Sequence, residues 1–163
     1  MEGSTRLLDE LGPDGYASAL AEHRRILREA FGAHGGVEVD TQGDAFFVAF
    51  PTTPGALAAA RAITDGLEAG PIKVRVGLHA GTPLLTDEGY VGADVHRAAR
   101  IAAAGHGGQV LVSASTVALV DGDGLRCLES LGHVLADRLC RGMGTRREAG
   151  GRGGGHAGPG IPQ

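Results

Sequence analysis

Residue types able to do chemistry gather in two short stretches. The first is Gly43-Asp44, which stands between two strand-like runs. Val37 and Val39 alternate with Glu38 and Asp40, the period-two pattern of a half-buried strand, and Ala45 to Phe50 is apolar without a break, as expected of a strand covered on both faces. The pattern predicts a β-hairpin whose second strand lies in mid-sheet with Asp44 at its mouth. Gly43 has no side chain to keep a phosphate or metal ion from the backbone, and a carboxylate beside it can hold a cation. Asp44 and Asp40 are equally the residues that hairpin turns use for their own hydrogen bonds, so the turn alone admits both readings.

The second stretch runs from residue 93 to residue 104. Val95, Ala98, Ala99 and Ala102 form the apolar stripe of a predicted helix, and their small size implies close approach to a sheet. His96 and Arg100, four apart, project from one side with Arg97 alongside. This is a cationic ridge, or in the plainer view a solvent-facing basic patch.

The elements that must position these groups follow from periodicity and punctuation. Ser4 or Thr5 caps a short helix carrying Leu7, Leu8 and Leu11; Gly12-Pro-Asp-Gly15 makes a turn; Tyr16, Leu20, His23, Leu27 and Phe31 then mark the buried stripe of a longer helix. Glu22, Arg24, Arg25, Arg28 and Glu29 fall off that stripe and predict a solvated face. After the hairpin, Thr53-Pro54 opens an alanine-rich helix over Leu57, Ala60, Ile63 and Leu67. Ile72, Val74, Val76 and Leu78 alternate with polar residues as a one-sided strand, ending at His79, a satisfied polar side chain rather than a ligand. A loop from Gly81 to Gly92 leads to the second stretch; Gln109 to Ser113 is a further buried strand and Ser115 to Val120 a short helix.

Composition narrows the function classes. With 163 residues, 42% of them hydrophobic, the chain is sized for one core. A net charge of −4 supplies no basic field for nucleic acid or a membrane surface, and no apolar run reaches the ~20 residues of a membrane span. Two cysteines, Cys127 and Cys140, make neither a disulfide framework nor a four-ligand zinc site and fit a reducing cytoplasm. From Leu139 the chain turns to glycine and arginine with scarcely an apolar side chain, which predicts a structured domain over 1–139 and a disordered tail over 140–163 without the aromatics that would stack on RNA.

Four ordered stretches, Glu2-Gly-Ser-Thr-Arg-Leu-Leu, Gln42-Gly-Asp-Ala-Phe-Phe, Val76-Gly-Leu-His-Ala-Gly and Tyr90-Val-Gly-Ala-Asp-Val-His-Arg-Ala-Ala-Arg-Ile, resemble the class III adenylate/guanylate cyclase catalytic domain over about residues 1 to 132. The resemblance implies an α+β, ferredoxin-like fold with a mixed, mainly antiparallel sheet, and a head-to-tail homodimer with its active sites between chains. It implies a reaction in which the ribose 3′-hydroxyl of ATP or GTP attacks the α-phosphorus and expels pyrophosphate, helped by two Mg²⁺ or Mn²⁺ ions. Asp44 matches a metal ligand, Gly3, Ser4 and Thr5 match a triphosphate-binding turn with Gly43 close by, and Arg100 matches the arginine that stabilises phosphoryl charge from the other subunit.

Three departures qualify the expectation. The family's other metal-binding Asp, on a first strand two residues before Glu-Gly-Ser-Thr, has no counterpart before Glu2, so the first strand and its ligand are expected to be missing, through a misplaced start or a frameshift. Asp40 stands where the family has the lysine that reads adenine, and His96 where it has an asparagine; His96 can still donate a hydrogen bond. Two functions follow: an intracellular signalling cyclase impaired in this chain, or a catalytically silent cyclase-homology module that binds nucleotide or a partner.

Overall fold

In the computed structural model, which describes residues 4–87, 89–120, 122, 124, 134 and 135, helix α1 runs over Ser4–Ala33. Gly12 breaks it at φ 69°, ψ 173°, and Pro13 restarts it, as a first-turn proline does without losing a hydrogen bond. The predicted pair of helices is therefore present as one kinked rod. Its stripe is as expected, with His23, Leu27 and Phe31 buried and Ala30 beside them.

Strands β1 (Val37–Gln42) and β2 (Ala45–Ala49) form the predicted antiparallel hairpin, with a register shift between Glu38 and Asp40. Helix α2 (Thr53–Gly66) starts one residue earlier than its proline suggested, capped by the Thr52 hydroxyl, which accepts from the Gly55 amide. Strand β3 (Val76–Leu78) is shorter than the alternation from Ile72 implied; Ile72 is nonetheless buried, and the alternation marks its face. A second hairpin, β4 (Leu84–Thr86) and β5 (Gly89–Val91), occupies the stretch read as a loop. Its strands are three residues each and largely exposed, too short for period-two alternation to register.

Helix α3 (Ala93–Ala103), strand β6 (Val110–Val112), the single-turn helix α4 (Ala114–Val117) and strand β7 (Val134–Leu135) complete the described chain. Ile101, not Ala99, is the buried residue of α3; Ala99 is exposed. The boundary at 139 and the tail lie outside the described residues.

The hairpin β1–β2 stands alone, whereas β3, β6 and β7 form a parallel sheet with β6 in the middle. The hairpin and β3 lie in separate sheets, and among the described residues no strand bridges them. For the same reason β2 is not a central strand, and its side chains are half-buried or exposed. No strand precedes α1 among the described residues.

Three clusters of buried residues make the core, the smallest being Ile101 of α3 against Leu111 of β6. Leu27, Ala30 and Phe31 of α1 pack with Ile63 and Leu67 at the end of α2, beneath Phe46, Val48 and Phe50. Leu57 and Ala60 at its start pack against Val110 and Val112, with Val76 and Leu78 alongside. The three side chains of β6 are 0–1% exposed, and at about 1.5–3 kcal/mol each they anchor the second half.

Candidate active site

Asp44 is delivered by a two-residue hairpin loop. Gln42 pairs with Ala45, and Gly43 takes φ 64°, a left-handed conformation that glycine reaches without strain. A side chain at Gly43 would meet open space, so the approach to this turn is clear. Asp44 is half-buried; burial raises its pKa, but hydrogen bonding, its own backbone amide included, and nearby positive charge hold it below the ordinary aspartate value. Asp40 is differently occupied. One carboxylate oxygen accepts from the Thr41 amide at 2.8 Å and the other from Gln42 Nε2 at 2.9 Å, the local bonding expected of a turn aspartate.

Helix α1 supports this turn from below. Arg24 Nη2 donates to the Gly43 carbonyl at 3.3 Å, and Arg28 makes a bidentate pair with Glu38 at 2.9 and 3.0 Å while lying 5.4 Å over the Phe46 ring. The charged run read as a solvated face is so only in part: Arg25 bonds Glu22 and Glu29 along the surface, but Arg24 and Arg28 reach across to the hairpin. Helical periodicity places a residue off the buried stripe without saying what it leans against. His23 lies under Phe46, 1% exposed, with neither ring nitrogen bonded among the described residues. Burial depresses its pKa and keeps it neutral.

The second stretch is held by a different mount. On β3, a Cβ at Gly77 would fall on the backbone of Ala102, and a Cβ at Gly81 on the Asp94 carboxylate; both glycines are needed for α3 to come this close. His79 between them is satisfied, as expected from sequence: Nε2 is 3.1 Å from Asp94 Oδ1 and Nδ1 is 2.9 Å from Ser113 Oγ. Thr82 N donates to Asp94 Oδ2, and these two bonds, His79 first, lower the Asp94 pKa. His96, Arg97 and Arg100 stand exposed on the outer side of α3, with Arg97 3.9 Å from Asp94.

Asp44 and Arg100 thus rest on separate supports, the turn on α1 and the ridge on β3, β5 and β6. Gly3 lies outside the described residues, Ser4 opens α1, and Thr5 is exposed in its first turn. Among the described residues no group of three or more His, Cys, Asp or Glu side chains is gathered for a metal ion. Both oxygens of the exposed Asp40 are engaged by Thr41 and Gln42, so of the two turn carboxylates Asp44 is the better placed for a cation, and one such carboxylate does not fit a two-ion site. Asp94 escaped the sequence reading because a carboxylate in a helix's first turn is common there for the helix dipole alone. No helix among the described residues is long and apolar enough to cross a membrane.

Residues 1–135 match the family model described as the adenylate and guanylate cyclase catalytic domain. The chain is 40% identical over 124 residues to an uncharacterized protein of Mycobacterium tuberculosis, covering 75% of this chain and 43% of that protein; it therefore spans less than half the length of this relative. It is 31% identical over 160 residues to an adenylate cyclase of Podospora anserina, covering 79% of this chain and 7% of that one. Among solved structures, an adenylate cyclase of Trypanosoma brucei, described in its monomeric state, superposes with a TM-score of 0.64 at 23% identity over 77% of this chain and 74% of that one. The α+β cyclase fold is shared.

Proposed function

The chain belongs to the adenylate and guanylate cyclase catalytic domain family, and from that premise we propose that it binds a purine nucleoside triphosphate between two copies of itself, as a cyclase of low turnover. The observation that carries this is the separate mounting of Asp44 and Arg100: among the described residues the hairpin rests chiefly on α1 and the ridge helix chiefly on β3, so one copy's turn can face another copy's ridge. In that arrangement Arg100 neutralises phosphate charge, His96 donates a hydrogen bond, and Gly43 leaves the backbone open to the ligand. Asp44 is the residue that would meet Mg²⁺ or Mn²⁺. A single carboxylate supports low turnover rather than full two-ion catalysis.

The lone carboxylate also favours the second reading, a silent nucleotide-binding module. Two measurements separate them. Purified chain is incubated with ATP or GTP and Mn²⁺, and cyclic nucleotide is quantified; a slow signal abolished by Asp44→Ala supports the cyclase, and binding without product supports the module. Triphosphate binding is then measured for Asp44→Ala and Arg100→Ala chains, alone and mixed. Each alone loses binding, and an equal mixture regains about a quarter of the wild-type sites, because half the dimers are mixed and each mixed dimer carries one intact site of two. No recovery in mixtures shown to contain mixed dimers would end the shared-site proposal.

A further inference from the structure

Beneath the cationic ridge lies a closed polar chain that the cyclase reading does not itself require. Asp94 Oδ1 accepts from His79 Nε2–H at 3.1 Å, and His79 Nδ1 lies 2.9 Å from Ser113 Oγ. Ser113 lies 2.9 Å from Thr116 Oγ1 and from Ser115 Oγ; Thr116 Oγ1 accepts from the Ala80 amide and Ser115 Oγ donates to the Ala80 carbonyl, both at 2.8 Å. Every donor in the chain has an acceptor, and the His79 side chain is 3% exposed.

An Asp–His–Ser order suggests nucleophilic catalysis, but the surroundings exclude it. Ser113 is 5% exposed, Ser115 gives its proton to a backbone carbonyl, and the enclosed imidazole leaves no room for a substrate carbonyl. What the chain does is tie three separate elements together: the β3 exit loop through His79, Ala80 and Thr82, the first turn of α3 through Asp94, and α4 through Ser113, Ser115 and Thr116.

We infer that His79 and Asp94 are positioning residues for the outer face of α3, fixing its first turn so that His96 and Arg100 are presented at a set angle to an anionic ligand. Asp94 is two residues from His96 and six from Arg100 on an 11-residue helix, so a rotation at the first turn is transmitted to both. Gly81 belongs to the device because its missing side chain is what lets the Asp94 carboxylate lie flat on the loop. The inference builds on the nucleotide reading only in what the ridge is for.

The test uses the full chain with three variants. Asp94→Asn is nearly isosteric but offers an amide where the Thr82 N–H needs an acceptor; His79→Gln cuts the chain; Gly81→Ala displaces Asp94 while keeping every polar group. Two quantities are measured: amide hydrogen exchange across residues 93–103, and the ratio of affinities for a nucleoside triphosphate and its unphosphorylated nucleoside. Ile63→Val, in a different core cluster, is the control for general destabilisation. Each latch variant is expected to speed exchange in the first turn of α3 by about tenfold or more and to lower the affinity ratio severalfold, while Ile63→Val moves neither locally. The His79 Nε2–H should appear hydrogen-bonded in its proton and nitrogen resonances, and Asp94→Asn should alter that signature. If all three variants keep wild-type exchange in 93–103, the inference is overturned. If exchange rises but the ratio stays put while Arg100→Ala lowers it, the latch holds the helix without setting the ridge, and the positioning role is again lost. If Arg100→Ala leaves the ratio unmoved, the nucleotide reading falls, and the exchange result alone decides whether the latch orders α3.

Discussion

The two halves of the candidate site are mounted in opposite ways. Asp44 rides a hairpin that joins no other strand among the described residues, propped by Arg24 and Arg28 and by a histidine whose nitrogens have no hydrogen-bond partner among those residues. Arg100 rides a helix seated against β3 so closely that glycine is required at Gly77 and Gly81, with a fully paired polar chain under its first turn. A surface ion pair tolerates loss because water replaces it, whereas a backbone contact at van der Waals distance has nothing to yield. The difference implies that the ridge is a fixed template and the hairpin the adjustable half. The comparison can be broken by substitutions on either side.

The largest effect is expected at the rigid side. Gly77→Ala places a methyl group on the Ala102 backbone, which cannot move away as a flexible side-chain end would. Either α3 lifts from β3 or β3 bends from β6, and the cost should be about 3 kcal/mol, at the upper end for overpacking. Chemical denaturation checks it. A loss under ~1 kcal/mol would mean that the helix slides freely, and the contrast between a fixed and an adjustable half would vanish.

This seat also shows how far the sequence could be read. Alternation over Ile72 to Leu78 and the apolar run before Ser113 make β3 and β6 legible, and the spacing of His96 and Arg100 alone puts them on one side of a helix. The glycines of Val76-Gly-Leu-His-Ala-Gly were visible as a motif, but their reason, a helix from twenty residues downstream pressing on the strand, exists only in three dimensions. The β4–β5 hairpin was invisible because its strands are short and exposed. The mid-sheet placement of β2 failed because an unbroken apolar run signals coverage without saying what supplies it.

On the hairpin side, His23 makes a sharper test through pH. Burial, its leading cause of shift, depresses its pKa below 6.5, so the unfolded chain binds a proton that the folded chain resists. The folded state therefore keeps its full stability above about pH 6.5 and loses it as pH falls from there toward the depressed value. His23→Leu should remove that slope and, by deleting two buried polar atoms that have no partner among the described residues, raise stability by roughly 1–2 kcal/mol at pH 6. Thermal melts at pH 5, 6 and 7.5 for both chains measure it; an unchanged slope would show that some other group carries the acid sensitivity.

The smallest effect is expected at Arg28, whose pairing with Glu38 looks substantial in geometry. Two parallel bonds of 2.9 and 3.0 Å and a stacking distance of 5.4 Å over Phe46 would be worth much in a dry interior. Here the Arg28 side chain is 54% exposed and that of Glu38 32%, so solvent screens the charges. Arg28→Ala should therefore cost little stability, mostly from uncovering the ring face, as the denaturation midpoint of the variant would show. The clearer readout is Glu38 itself. The Arg28 bond, then the Thr41 hydroxyl, hold its pKa down to about 2 from 4.5, so the wild-type chain keeps this contribution above pH 4.5 and loses it as pH falls toward 2. In Arg28→Ala the carboxyl should titrate higher, nearer 4.5, with the Thr41 bond preventing full return, and the folded chain should lose less stability across that acid window than wild type does. Because the His23 window opens at about pH 6.5 and the Glu38 window only at about 4.5, the first loss on acidification reports His23 and the Arg28→Ala difference reports Glu38. A Glu38 titration unmoved by Arg28→Ala would show that the arginine does not hold the strand, and the hairpin's support would then reduce to Arg24 and the apolar contacts of Phe46.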